Sequence, residues 1–276
     1  MSAPVPLLRL EGLTKTFALR RTVGERVGRT QVEPACAVDD VSFTLHHGEI
    51  LGLAGESGSG KTTLARCIIR LVEPDAGTIE LDGIDVRAAR GRRLRELRRR
   101  MQMVFQDPYS SLNPRMTVGA ALHEAGRVHH RPGSEHGDQF VREALERVHL
   151  SAGIAKRRPR ELSGGQRQRV AVARALAVGP EVLIADEAVS ALDVSVQAQL
   201  LNLFLDLRDE LGVAILFVAH QLAVIAEVAD RVAVMNRGRI VEIGDAADVL
   251  NDPRDDYTKS LLAAHPRPRL SGASSS

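Results

Sequence analysis

The hydrophobic pattern of this chain is a series of short apolar runs, each closed by a glycine-rich, acidic or histidine position. Residues 49–54 (Glu-Ile-Leu-Gly-Leu-Ala), 182–187 (Val-Leu-Ile-Ala-Asp-Glu) and 213–219 (Val-Ala-Ile-Leu-Phe-Val-Ala) are too short for core helices. They are also too continuous to alternate between core and solvent, so they read as strands buried on both faces. A fourth strand is expected over 101–105, and an antiparallel pair near 7–17 and 38–45. Residues 63–69 (Thr-Leu-Ala-Arg-Cys-Ile-Ile) and 166–176 read as helices, the first with one apolar face. The polar, Gly- and Arg-bearing stretch 18–37 reads as a surface loop.

What joins the first strand to its helix is chemically specific. Gly55-Glu56-Ser57-Gly58-Ser59-Gly60-Lys61-Thr62, followed by Thr63, fits the phosphate-loop pattern and stands between strand and helix, where such a loop must stand. Its glycines let successive N–H groups turn toward phosphate oxygens, and the helix N-terminus adds positive potential. Lys61 would reach the outer phosphates and the Thr62 hydroxyl would ligate Mg²⁺. A chance Gly/Ser loop would lack these flanks.

The other runs end in groups that suit the same ligand. Two carboxylates closing an apolar strand, Asp186 and Glu187, are costly unless they face a cation. Asp186 is the natural Mg²⁺ ligand, and Glu187 can polarise an attacking water. His220 closes a strand at the end where ligands collect in parallel α/β sheets. In Leu162-Ser163-Gly164-Gly165-Gln166, Ser163 is a good N-cap and the glycines leave bare N–H groups at a helix start, again aimed at a phosphate.

Taken in this order, the motifs resemble the ATP-binding subunits of ABC transporters over nearly the whole chain. The resemblance implies a P-loop NTPase core of the α/β class: a mixed, mainly parallel sheet flanked by helices, with an antiparallel β subdomain and an inserted helical subdomain. It implies ATP as substrate and Mg²⁺ as cofactor. Glu187, His220 and Gln106 would be catalytic, His220 as the switch histidine and Gln106 as the Q-loop glutamine that also contacts Mg²⁺ or the lytic water. Phe17 would stack on adenine. Ser163, Gly164, Gly165 and Gln166 would act on ATP held by a second subunit, with Asp193 of the D-loop crossing to that subunit. One ATPase domain is expected over 7–264, its core at 7–105 and 178–245, a helical part at 107–177 and a C-terminal extension at 246–264, before a disordered tail at 265–276.

Longer segments, 106–117, 193–199 and 251–262, resemble the import subunits for oligopeptides, dipeptides and nickel. The resemblance implies a related or identical second ATPase subunit, two transmembrane permease subunits and an extracytoplasmic solute-binding protein. The chain would sit peripherally on the cytoplasmic face of the membrane. Peptides are the expected cargo; nickel or another small solute is the alternative, and a soluble non-transport ABC ATPase a more distant one. Ala188 replaces the usual proline, with a slightly looser backbone expected, and Gln221 the usual aspartate. No cysteine follows Cys67, so the iron–sulfur cluster of some relatives cannot form.

Composition changes little in this picture. A chain of 276 residues with net charge +2 gives no argument for nucleic acid, and no apolar run reaches 18 residues. The first six residues lack a signal-peptide core, and the two isolated cysteines form no framework. His123, His129, His130 and His136 lack metal-ligand spacing and read as surface. The arginines at 87, 90, 92, 93, 95, 98, 99 and 100 read as a solvated helix face. Residues 131–137 are expected to be disordered.

Overall fold

The computed structural model describes residues 5–17, 35–107, 112–129, 131–190 and 192–264. Most of the 18–37 loop, Pro108 to Ser111 of the importer-like segment, His130, Ala191 and the tail from 265 lie outside them.

Two sheets stack against helices. The larger holds β3 (Ile50–Ala54), β6 (Met101–Val104), β7 (Val182–Asp186), β8 (Ala214–Val218), β9 (Arg231–Asn236) and β10 (Arg239–Asp245) in the order β10-β9-β3-β8-β7-β6. It is parallel except for the antiparallel β9–β10 hairpin. The smaller is antiparallel: β1 (Leu8–Phe17), β2 (Ala35–Leu45), β4 (Ala76–Leu81) and β5 (Ile84–Asp85), ordered β2-β1-β4-β5.

The central strands β3, β7 and β8 are apolar up to Asp186, the last residue of β7, because both faces are covered. Ile50, Leu183, Ala185, Ile215 and Phe217 point into one core, shared with the helical segments. Leu51, Leu53, Val182, Ile184, Leu216 and Val218 point into the other, shared with the antiparallel sheet and α1 (Lys61–Ile68). Ile50, Leu51 and Leu53 are fully buried, and each such side chain is worth roughly 1.5–3 kcal/mol. Cys67 is buried on α1 and packs in the second core.

Among the described residues the remaining α-helices are α2 (Gly91–Arg100), α3 (Val118–Val128), α4 (Gly137–Glu146), α5 (Gly164–Leu176), α6 (Val194–Leu211), α7 (Leu222–Ala226), α8 (Ala246–Asn251) and α9 (Asp256–Ala263). Among the described residues no helix is long and apolar enough to cross a membrane.

Two expectations are corrected. The second half of the arginine run is not a solvated face. Arg98 donates to the carbonyl of Ile69 at 3.0 Å, Arg99 to that of Val178 at 3.4 Å, and Arg100 makes a two-pronged bond to Glu181 at 2.6 Å. Of the arginines of α2, Arg92, Arg93 and Arg95 are exposed and Arg98, Arg99 and Arg100 are half-buried. Residues 131–136 form turns that lead into α4 at Gly137, with Ser134 buried and its carbonyl 3.0 Å from His123 Nε2. Among the described residues no group of three or more His, Cys, Asp or Glu is placed to hold a metal.

Candidate active site

The phosphate loop is held by two distant parts of the chain, β2 and the β9–β10 turn. Gly60 is left-handed (φ 109°), and a Cβ there would lie 2.1 Å from the carbonyl of Ala37 on β2, so only glycine fits. At the β9–β10 turn the Gly238 N–H donates to the Ser59 carbonyl at 2.9 Å, and the Asp39 N–H donates to the Gly238 carbonyl at 2.8 Å. Glu56, Ser57 and Gly58 form the exposed rim; Gly55 and Ser59 are buried, and Thr63 is half-buried at the start of α1.

The Lys61 ammonium turns back on the loop, donating to the carbonyls of Gly55 (2.7 Å) and Glu56 (2.8 Å) and reaching Ser59 Oγ at 3.3 Å. Burial lowers its pKa, against the opposing pull of Glu187, Asp186 and Glu56. A desolvated cation held only by carbonyls and a hydroxyl is a ready partner for an anion.

Opposite it, Thr62 Oγ1 donates to Asp186 Oδ1 at 3.0 Å. Asp186 is only 3% exposed. Burial raises its pKa; the Thr62 bond opposes this and the neighbouring Glu187 charge adds to it. A divalent cation between hydroxyl and carboxylate would relieve that cost, so the donor set fits Mg²⁺.

Glu187 lies one residue past β7, with its N–H donating to the Val218 carbonyl at 2.9 Å. Its backbone is left-handed (φ 48°), a conformation that costs an L-residue roughly 1–2 kcal/mol. Ser190 ties down the turn, donating from its N–H (3.2 Å) and hydroxyl (3.0 Å) to the Glu187 carbonyl, and Ala188 is buried beneath it. Glu187 Oε2 accepts from Gln106 Nε2 at 2.9 Å and lies 3.9 Å from His220 Nδ1. A cleft of about 350 Å³ opens here, lined by Glu56, Ser57, Glu187, His220 and Leu261.

The signature residues do not join this cleft. Ser163 Oγ caps α5 by accepting the Gln166 N–H (3.2 Å), and Gln166 Oε1 accepts the Ser163 N–H (3.1 Å). A Cβ on Gly165 would lie 2.4 Å from Val196 Cγ1, so α5 starts in close contact with the first turn of α6. Asp193 is the N-cap position of α6, without a side-chain cap bond. Phe17 is half exposed at the end of β1 and pairs with Ala35, two residues before the Ala37 carbonyl that touches Gly60.

Sequence reasoning placed α9 in the C-terminal extension but missed its part in the site. The Glu56 N–H donates to Tyr257 Oη at 3.1 Å, and Leu261 lines the cleft. The one local signal was Tyr257 itself, one of two tyrosines in the chain.

A family model described as ABC transporter matches residues 38–190. A probable peptide ABC transporter ATP-binding protein of Sinorhizobium fredii is 48% identical over 262 residues, 95% of this chain and 73% of that one. A glutathione import ATP-binding protein of Pectobacterium atrosepticum is 48% identical over 261 residues, 95% of this chain and 41% of that one. Among solved structures, an ATP-binding cassette in a dimeric post-hydrolysis state bound to ADP and Pi superposes with a TM-score of 0.71 at 28% identity. That match covers 87% of this chain and 98% of that one. With the family match spanning more than half of its length and relatives near one-half identity across almost all of it, this chain belongs to the ABC transporter family, as an ATP-hydrolysing subunit.

Proposed function

We propose that this chain powers the import of oligopeptides or dipeptides by hydrolysing ATP at the cleft between the phosphate loop and Glu187. One observation carries the chemistry: the amide of Gln106 and the imidazole of His220 converge on one carboxylate oxygen at the rim of the phosphate-loop cleft. In this reading Gly55 to Thr63 hold the phosphates, with Lys61 exchanging loop carbonyls for phosphate oxygens, and Phe17 meets the adenine. Glu187 takes a proton from the attacking water, oriented by Gln106 and His220. Thr62, Asp186 and Gln106 would hold Mg²⁺, which when bound supplies positive charge to the phosphates.

Ser163 to Gln166 lie apart from the cleft within one chain, so the phosphate-facing start of α5 and Asp193 act on a second subunit's nucleotide in a head-to-tail pair. The peptide relative's name supports the cargo. The core at 7–105 and 178–245 works the nucleotide, the helical part at 107–177 presents the signature, and 246–264 closes the domain.

Of two permease subunits, one would bind in the groove beside Phe105, about 510 Å³ in volume, whose exposed apolar rim is Leu71 and Val128 with Arg98 and Glu124 alongside, and the other on the second ATPase subunit. That docking holds the chain on the cytoplasmic face of the membrane, and a solute-binding protein on the other side delivers cargo. The test is ATPase activity of the reconstituted complex with its binding protein, titrated with a peptide library and with chelated nickel. Stimulation by peptides is expected; stimulation by nickel alone would overturn the cargo.

A further inference from the structure

The C-terminal helix is built into the phosphate loop rather than appended to the domain. The peptide unit joining Gly55 to Glu56 is held from two sides. Its carbonyl is bound by Lys61 Nζ at 2.7 Å, and its N–H donates to Tyr257 Oη at 3.1 Å. Lys61 Nζ also binds the Glu56 carbonyl, at 2.8 Å, and the Ser59 N–H donates to that same oxygen at 3.2 Å. Any shift of the Gly55–Glu56 peptide therefore moves the lysine and the loop's next turn together.

Tyr257 is itself well placed. Its N–H donates to Asp255 Oδ1 at 2.8 Å, capping α9. The preceding turn is fixed because Glu242 on β10 accepts the N–H groups of Arg254 (2.8 Å) and Asp255 (3.2 Å). Thr258 and Leu261 are buried and the Tyr257 ring packs against the main core. The hydroxyl thus reaches the loop from a rigid base, while Leu261 forms one wall of the cleft that Ser57, Glu187 and His220 share.

We propose that Tyr257 is a positioning residue for nucleotide binding: its hydroxyl presets the Gly55–Glu56 peptide so that the loop and Lys61 meet phosphates without rearrangement. The inference rests on the phosphate-loop reading above, and concerns affinity rather than the hydrolytic step. Tyr257 touches the loop backbone and is not among the residues lining the cleft with Glu187 and His220.

The test is Tyr257→Phe in the full complex, which keeps the ring and its packing. Losing one neutral hydrogen bond to a backbone N–H predicts a threefold to tenfold rise, roughly, in KM for ATP and in the Kd of ATP measured by titration calorimetry. The kcat stays within twofold, roughly, and the nucleotide-free unfolding midpoint is nearly unchanged. A purely structural tyrosine would shift the midpoint and leave the KM-against-kcat split unmoved. Glu242→Gln, acting on the turn before α9 from a distance, gives a smaller rise in the same direction and decides the matter should the first variant fold poorly. Unchanged KM and Kd in both variants overturn the inference. Because nucleotide affinity is read without turnover, a complex that binds ATP but does not hydrolyse it would refute the hydrolytic reading separately.

Discussion

Replacing Glu187 with glutamine tests the centre of the proposed chemistry, and the structure sets the size of the effect. The substitution keeps side-chain length and leaves the left-handed backbone (φ 48°) and its Ser190 ties untouched. The new amide oxygen still accepts from Gln106, so geometry is conserved while charge and proton affinity are lost. Loss of a general base costs about 10²–10⁴ in rate, which is about 2.7–5.5 kcal/mol of barrier. Steady-state phosphate release should fall by that factor with KM for ATP little changed. Size-exclusion chromatography should show a dimer persisting in ATP. Gln106→Ala removes the 2.9 Å bond that aims the same carboxylate, at a cost of about tenfold. Because both residues act through one oxygen, the double variant should be no slower than Glu187→Gln alone. An ATPase rate near wild type in Glu187→Gln refutes the general-base assignment, and additive losses in the double variant refute the shared role of Gln106.

Asp186→Asn should raise the unfolding midpoint of the chelator-treated chain at pH 7 and remove its stabilisation by Mg²⁺, because burial raises the carboxyl's pKa in the folded state. The raised value means the folded chain holds this proton more tightly than the unfolded chain. The associated stability is present below about pH 4 and lost as pH rises through the folded value, so the variant's advantage should vanish in acid. Gln221→Asp should stabilise the protein by about 0.5–1 kcal/mol in thermal unfolding, since Gln221 is the N-cap position of α7 and makes no side-chain cap bond. Val128→Asp, on the groove rim, should leave the basal ATPase of the free chain intact and abolish its co-purification with the permease subunits.

The parts of the fold legible from sequence are those whose signal is local. Continuous apolar runs at β3, β7 and β8 mark strands covered on both faces, and the capping pair Ser163 and Gln166 marks the start of α5. Carboxylates at the end of β7 and a histidine just past β8 follow from the same local logic. The remainder depended on contacts that no window contains. The arginines of α2 looked like a solvated face because their acceptors, at Ile69, Val178 and Glu181, come from other elements. Pro132 and Gly133 suggested disorder, yet the turn they form closes over Ser134 beneath His123. The left-handed backbone at Glu187 was invisible because glutamate has no preference for that region; the turn tied by Ser190 imposes it.

The same long reach governs when the nucleotide site comes into being as the chain is synthesised. The Glu56 N–H meets a hydroxyl 201 residues further along, and the Ile50 N–H at the head of β3 meets Asp230, 180 residues further along. At 5–20 residues per second a ribosome needs about 10–40 s to bridge the longer gap. Until β8 and β9 have been made β3 lacks both neighbouring strands, and the loop gains Gly238 and then Tyr257 later still, so chains terminated before these points carry the phosphate-loop sequence without all of its supports. The last of these supports to arrive is the Tyr257 hydroxyl, so a chain that stops short of α9 would hold its phosphate loop without the contact that presets the Gly55–Glu56 peptide.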